Sequence, residues 1–392
     1  MSSNFTLDVR QKTSSKNGLT SVFVRKHDPS IHLDEGSKSL MRIERVKFAS
    51  LSPAMIELWR NWIAADSNFY SPFLHPEFSH AVDLSSKDVD VAVAYDGTNP
   101  TAFLPHQSFH RHSVGPVGGF LSDRHGWISK PGTRVNVSKL IELTDVNSFR
   151  FHMLPLEDIP ELRCIALRRS VVHADLSEGF NAYVEKRKQL GSNVVSKLAQ
   201  KERKLGNEVG PLRLEEGFSE EGFECLLRWK REACEKRNVQ NILGNLDDCN
   251  TLRNLAAMQG PDFRSHFTRL MAGDRLVAVH LGLICHDRMA AWFPAFNPDY
   301  AKYSPGLLVL LQIIRNCERW GVKRIDFGNG ELAFKDRFKT GETIMLEGIV
   351  DQSLINVLLH CYWLKARDWA KASTFQPAIQ RVWYHFRKRT RN

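Results

Sequence analysis

The alternation of hydrophobic and polar positions in this chain becomes regular near Met41. Arg42-Ile43-Glu44-Arg45-Val46-Lys47-Phe48 has the period of two that marks a half-buried strand. Ser52-Pro53 follows, an N-cap residue and then a proline at the first helical position. Met55, Ile56, Trp59 and Ile63 share one face of the helix that it opens. Ser71-Pro72-Phe73-Leu74-His75-Pro76-Glu77-Phe78 predicts a fixed, buried turn into a short helix. Val89–Tyr95 and Thr101–Phe109 read as a hairpin about the turn Asp96-Gly97-Thr98-Asn99-Pro100. Gly115–Phe120 is a glycine-containing bend, and Ser148–Leu154 and Cys164–Ala166 are short strands.

Between Gly179 and Leu205 the texture turns helical and basic, with Lys186, Arg187, Lys188, Lys197, Lys201, Arg203 and Lys204 and a break near Gly191. This segment reads either as a solvated linking helix or as a surface that meets an anion. The earlier pattern then restarts. Pro211–Glu215 is a strand, Ser219–Arg237 a helix, and His266–Met271 with Leu276–Ile284 a hairpin about Ala272-Gly273-Asp274-Arg275. Met289–Pro294 is a strand, Ser304–Trp320 a serine-capped helix closed by Gly321, and Val322–Phe327 a short buried strand. That strand leads into the glycine loop Gly328-Asn329-Gly330 and the start of a helix, where Glu331 and Lys335 share a face. Strand–helix–hairpin thus occurs at about 41–110 and again at 211–285, which predicts two similar α/β domains in tandem. The expected organisation is a loose N-terminal tail (1–40), a first domain (41–178), a basic helical connector (179–210), a second domain (211–350) and a basic helical tail (351–392). That last tail reads as a solvated terminus or as a weak peripheral contact with anionic membrane.

Composition changes this picture little. The chain has 392 residues, 42% of them apolar, enough for two domains with cores. Neither Gly306–Ile314 nor Leu354–Leu364 approaches the roughly 20 apolar residues of a membrane span. The first forty residues lack the apolar run of a secretory signal, and the expected location is the cytoplasm. Seven scattered cysteines, with no C-x-x-C, fit neither a disulfide framework nor a zinc site. A formal charge of +10 favours polyanions without choosing among them. His106, His110 and His112 have no nearby Cys, Asp or Glu to complete a metal set, so no metal is expected. No zinc-finger, helix-turn-helix or RNP pattern points to sequence-specific nucleic-acid binding.

The order of hairpin, strand, serine-capped helix, strand and glycine loop over 265–338 resembles the GNAT acyltransferase fold. More narrowly, the chain is similar to the acetyltransferases of cellulose and exopolysaccharide biosynthesis (the CelD/BcsL type), a tandem GNAT arrangement related to the Fem-type peptidyltransferases. The stretches that carry the resemblance are Ser71-Pro72-Phe73 with Pro76-Glu77-Phe78, Gly115–Asp123, Val279–Leu283, Trp292–Pro298 with Tyr303–Gly306, and Asp326–Glu331 with Phe334-Lys335 and Phe338. Phe334 stands where this family carries tyrosine, and Tyr300–Gly306 keeps only part of the usual phosphate loop. The resemblance implies an α/β (α+β) fold of two GNAT-like domains, each a mixed, mainly antiparallel sheet flanked by helices.

It implies in turn the transfer of an acetyl group from acetyl-CoA to a hydroxyl or amine of a sugar or polysaccharide precursor, in a ternary complex and beside the polysaccharide-synthesis machinery. Candidate donor-binding residues are Trp292, Phe293, Lys302, Tyr303, Ser304 and Gly306, with the oxyanion on backbone N–H groups of Ala291–Ala295. The first candidate base is His280, whose ordinary pKa suits proton transfer near neutrality. Asp326 and Glu331 come second, and Lys335 would hold an anionic group or pair with Glu331 on the surface. Two other readings remain open. One is a Fem-like transferase using aminoacyl-tRNA, and the other is a scaffold at a polysaccharide synthase.

Overall fold

The computed structural model describes residues 23–25, 41–86, 88–110, 112–158, 164–237, 243–328 and 333–372. The first half contains β1 (Phe23–Arg25), β2 (Met41–Lys47), α1 (Pro53–Ala65), α2 (Pro76–Ser86), β3 (Val89–Asp96), β4 (Asn99–His110), β5 (Ser113–Gly115), β6 (Ile128–Ser129), α3 (Ser138–Leu143), β7 (Ser148–Pro155) and β8 (Cys164–Asp175). Helices α4 (Gly179–Gln189) and α5 (Val194–Glu208) connect to the second half. That half contains β9 (Leu212–Glu216), α6 (Glu220–Lys236), α7 (Leu246–Ala257), β10 (Phe263–Ala272), β11 (Arg275–Cys285), β12 (Arg288–Phe296), α8 (Pro305–Asn316), β13 (Arg324–Asp326), α9 (Ala333–Phe338), β14 (Gly341–Asp351) and α10 (Leu354–Ala372).

All these strands join one sheet in the order β2-β3-β4-β5-β7-β14-β8-β13-β12-β11-β10-β9, with β1 beside β8 and β6 beside β4. It is mixed and mainly antiparallel, with parallel pairing at β5/β7 and β12/β13. The capping signals work locally. Ser52 Oγ accepts from the Met55 N–H at 3.3 Å and Ser219 Oγ from the Gly222 N–H at 3.2 Å, which fixes the starts of α1 and α6. Helices α1, α2, α6 and α7 bury one core on one face of the sheet, where Trp59 stacks on Phe103 at 5.4 Å. Helices α4, α5 and α8 cover the other face of the second half.

Three features differ from the sequence expectation. Phe23–Arg25, inside the stretch read as a loose tail, pairs with Ala166–Cys164 at the edge of β8. Helix α7 fills a stretch with no assigned element, because its buried face includes a threonine and an alanine, Thr251 and Ala256, as well as Leu252 and Leu255. Ser304 precedes α8 but its side chain does not cap it. Its backbone is left-handed (φ 58°, ψ 52°), as the turn from residues 298–303 into α8 requires. Strand β14 lies between β7 and β8, so the second half threads a strand into the sheet of the first.

Candidate functional site

The site forms where β12 and β13 part. They pair in parallel at only three positions, Arg288↔Arg324, Met289↔Ile325 and Ala290↔Asp326. Beyond Ala290 the β12 edge has no strand beside it among the described residues. A bulge lies at the same place, because two steps of β11, from Leu281 to Leu283, span three of β12, from Phe293 to Ala290. A bulge turns backbone groups out of the ladder, and the free edge leaves N–H groups open to a ligand.

A cavity of about 170 Å³ sits against this fork. Its walls come from both halves, with Tyr70, Asp123 and Arg124 from the first and Arg288, Arg324 and Asp326 from the second. Arg324 Nε donates to Asp326 Oδ1 at 2.8 Å and its Nη2 to Thr343 Oγ1 at 3.0 Å. The Arg288 guanidinium lies 5.9 Å from the centre of the Tyr70 ring. Among the described residues no carboxylate pairs with it.

Lys335 is a buried side chain, not the surface cation that a pair with Glu331 would make it; Glu331 itself lies outside the described residues. Its Nζ donates to the Gly328 carbonyl at 3.1 Å. Burial pulls its pKa down to about 8, against the opposing pull of the Asp123 carboxylate. Gly328 is left-handed (φ 68°), and a Cβ there would stand 2.3 Å from Asp123 Oδ2. Gly328 therefore makes room for the first half's carboxylate beside the second half's lysine.

His173 is a further residue at this place. In register it lies between Asp326 of β13 and Gly341 of β14. A Cβ at Gly341 would fall 2.5 Å from His173 Nε2, so this glycine makes room for the ring. Nδ1 of His173 has no partner among the described residues. Burial and the Arg324 charge lower its pKa, while Asp326 and Asp175 raise it.

The residues expected to act together are only partly gathered. Asp326 and Lys335 are at the fork. His280 is wholly buried on the opposite face, since Val279, Leu281 and Leu283 of its strand join the core under α6 and α7. Burial holds its pKa well below the ordinary histidine value, and neither ring nitrogen has a partner among the described residues. Trp292 packs edge-on against Phe73 at 5.7 Å and Phe78 at 6.2 Å, tying β12 to the first half. Phe293 is buried under the Lys230 ammonium, 5.5 Å from its ring centre. Lys302 is exposed and pairs with Glu208 at 3.0 Å, and the Tyr303 hydroxyl donates to the same carboxylate. Ser304 Oγ accepts from Lys201 Nζ at 2.6 Å. Gly306 lies under the Phe296 ring, where a Cβ would come within 3.1 Å. His106 is buried and joined to Arg45 and the Leu104 carbonyl, and no group of metal-ligating side chains occurs among the described residues.

Sequence reasoning missed Asp123 as a site residue although it closes the Gly115–Asp123 stretch that carried part of the resemblance. Arg288, Arg324 and His173 gave no local signal and are collected by strand pairing; Arg124 reaches the cavity from a loop.

Known structures share the overall fold. FemX superposes with a TM-score of 0.53 at 7% identity, covering 81% of this chain and 99% of FemX. The C-terminal domain of a protein named as a lysylphosphatidylglycerol synthetase, from Agrobacterium fabrum, gives 0.50 at 12% identity, covering 79% and 95%. A tandem GNAT protein from the clavulanic acid biosynthesis pathway gives 0.44 at 9%, covering 80% and 99%. At these identities the likeness is one of fold. No curated protein matches the sequence significantly. Residues 192–336 match the acetyltransferase (GNAT) domain family, and the fold around them is similar to that of FemX.

Proposed function

We propose that the chain is an acyltransferase that moves an acetyl group from acetyl-CoA to a hydroxyl or amine of a sugar or polysaccharide precursor at the β12/β13 fork. The observation that carries this reading is the coincidence of cavity, bulge and open strand edge at Ala290–Asp326. The donor fits the residues present. Lys201 and the Gly306 N–H at the start of α8 would meet phosphate, with the helix dipole behind them. When bound, the donor supplies an activated thioester carbonyl. The N–H groups freed near Trp292 are placed to stabilise negative charge on that carbonyl oxygen. Asp326 and His173 share the face that the acceptor would approach, and either accepts the proton lost by the attacking group. Arg288 balances charge in the cavity, and the charged side chains of its wall, Asp123, Arg124, Arg324 and Asp326, would hydrogen-bond a hydroxylated acceptor.

The test is release of free CoA thiol with saccharide precursors, paired with calorimetry of acetyl-CoA. Asp326→Asn is expected to lower kcat by about 100-fold with donor affinity unchanged. Absence of acetyl-CoA binding would overturn the donor assignment.

One observation favours a second donor. Pro305 has no N–H, and those of Leu307 and Leu308 return to the Ser304 carbonyl, at 2.9 and 3.1 Å. This leaves Gly306 to serve one phosphate rather than a pyrophosphate, as the end of an aminoacylated tRNA would require. Co-purified tRNA, with aminoacyl transfer in place of thiol release, would decide for it.

A further inference from the structure

Helix α10 carries apolar side chains on two opposite faces, with Asn356, His360 and Arg367 between them along one side. Val357, Cys361 and Leu364 form its docked stripe against the sheet. Directly opposite, Ile355, Leu359, Tyr362 and Trp369 are between 62% and 70% exposed. Leu354, Leu358 and Trp363 widen this face, so that seven of the sixteen large apolar side chains exposed among the described residues lie on one 19-residue helix. A continuous exposed apolar patch of this kind marks an interaction surface.

Three observations identify what covers it. The exposed half mixes aliphatic residues with Tyr362, Trp363 and Trp369, the aromatic types that settle at a membrane–water boundary. The sequence after the helix, 373–392, contains Arg381, Arg387, Lys388, Arg389 and Arg391 and no carboxylate, and the whole chain is at +10. An anionic surface complements that charge and a second copy of the chain repels it. The helix also shares a sheet face with the cavity. Arg169, which pairs with Asp368 of α10 at 2.8 Å, is the register partner of Met345 in the cavity wall. Among the described residues no helix is long and apolar enough to cross a membrane.

We propose that α10 lies on the surface of an anionic lipid bilayer, with its Ile355–Trp369 face inserted at the headgroup boundary and the fork cavity held beside the membrane. The full chain is expected to co-sediment with vesicles containing about one-third phosphatidylglycerol and much less with pure phosphatidylcholine. The triple variant Ile355→Asn, Leu359→Asn, Tyr362→Asn leaves the charge unchanged and is expected to lose about tenfold or more of this affinity. A second readout does not depend on how that variant folds. Vesicles with brominated acyl chains are expected to quench tryptophan fluorescence in the wild type, with a smaller quenched amplitude in Trp369→Phe. Wild-type protein left in the supernatant, or quenching unchanged in Trp369→Phe, overturns the proposal. So does a wild-type dimer that the triple variant converts to monomer without any vesicle binding, which would make the face a protein interface.

Discussion

Replacing Lys335 by methionine is expected to make the protein more stable and less active. The side chain is 6% exposed, and its pKa falls from an ordinary 10.5 to about 8. That fall corresponds to about 3 kcal/mol spent at neutral pH to keep a buried ammonium charged. Methionine has a similar length and no charge, so this cost disappears. The hydrogen bond to the Gly328 carbonyl, worth about 1 kcal/mol, is lost, while the attraction to Asp123 is already contained in the lowered pKa. The net expectation is a gain of about 1–2 kcal/mol. The sign with pH follows from proton binding. Between pH 8 and 10.5 the unfolded lysine holds a proton that the folded one has released, so wild-type stability rises through this window. The advantage of Lys335→Met is therefore full below pH 8 and shrinks above it. Urea denaturation at pH 7 and pH 9.5 measures this as a midpoint shift at constant slope. Acyl transfer should fall by about 100-fold if the ammonium meets developing charge. A variant less stable than wild type at pH 7 would refute the reasoning, because the Asp123 contact would then outweigh burial.

Three other outcomes are expected. Gly328→Ala puts a Cβ 2.3 Å from Asp123 Oδ2 at a left-handed φ of 68°, and should cost about 1–3 kcal/mol by thermal melting while removing most activity. Glu347 is held at a pKa of about 2, against its own burial, by Arg367 and Arg169. Its stabilisation is present above the ordinary carboxylate range and is lost as pH falls towards 2, so Glu347→Gln should flatten the acid side of a stability–pH curve between about 4.5 and 2. Lys201→Ala removes the ammonium on Ser304 Oγ and should raise KM for a phosphate-bearing donor about tenfold with little change in kcat.

The sequence disclosed what depends on neighbours along the chain. Ser52 and Ser219 cap the helices they announce, and the alternation of Arg42–Phe48 is that of β2. Asp326 and Lys335 were legible because a glycine loop between strand and helix is a local signal. The face of the sheet that carries the site was not. His280 sits on a strand as regular as any, and only the packing of α6 and α7 on its neighbours Val279 and Leu281 shows that it points away from the cavity. Ser304 was misread for a related reason. The Ser-Pro pair signals a helix start, but the left-handed turn before it gives the hydroxyl to Lys201 instead of the helix. His173 and Asp123 were not picked out because each is brought to the fork only by a residue more than 150 positions away.

That separation has a physical source in β14. It leaves the glycine loop and α9 and enters between β7 and β8, pairing Gly341 with His173 and Met345 with both Pro155 and Arg169. A strand with ladders on both sides is expensive to move, since backbone groups on both edges would lose their partners. It therefore fixes the distance between the loop that carries Gly328 and the segment that carries Asp123. Trp292 does the same from the other side by packing on Phe73 and Phe78. The fork is open because β13 stops at Asp326, and it is held open because neither half can close on it without breaking one of these attachments. Under the proposed function, such a fixed fork would place donors before the reaction rather than during it, which is where electrostatic stabilisation is most effective.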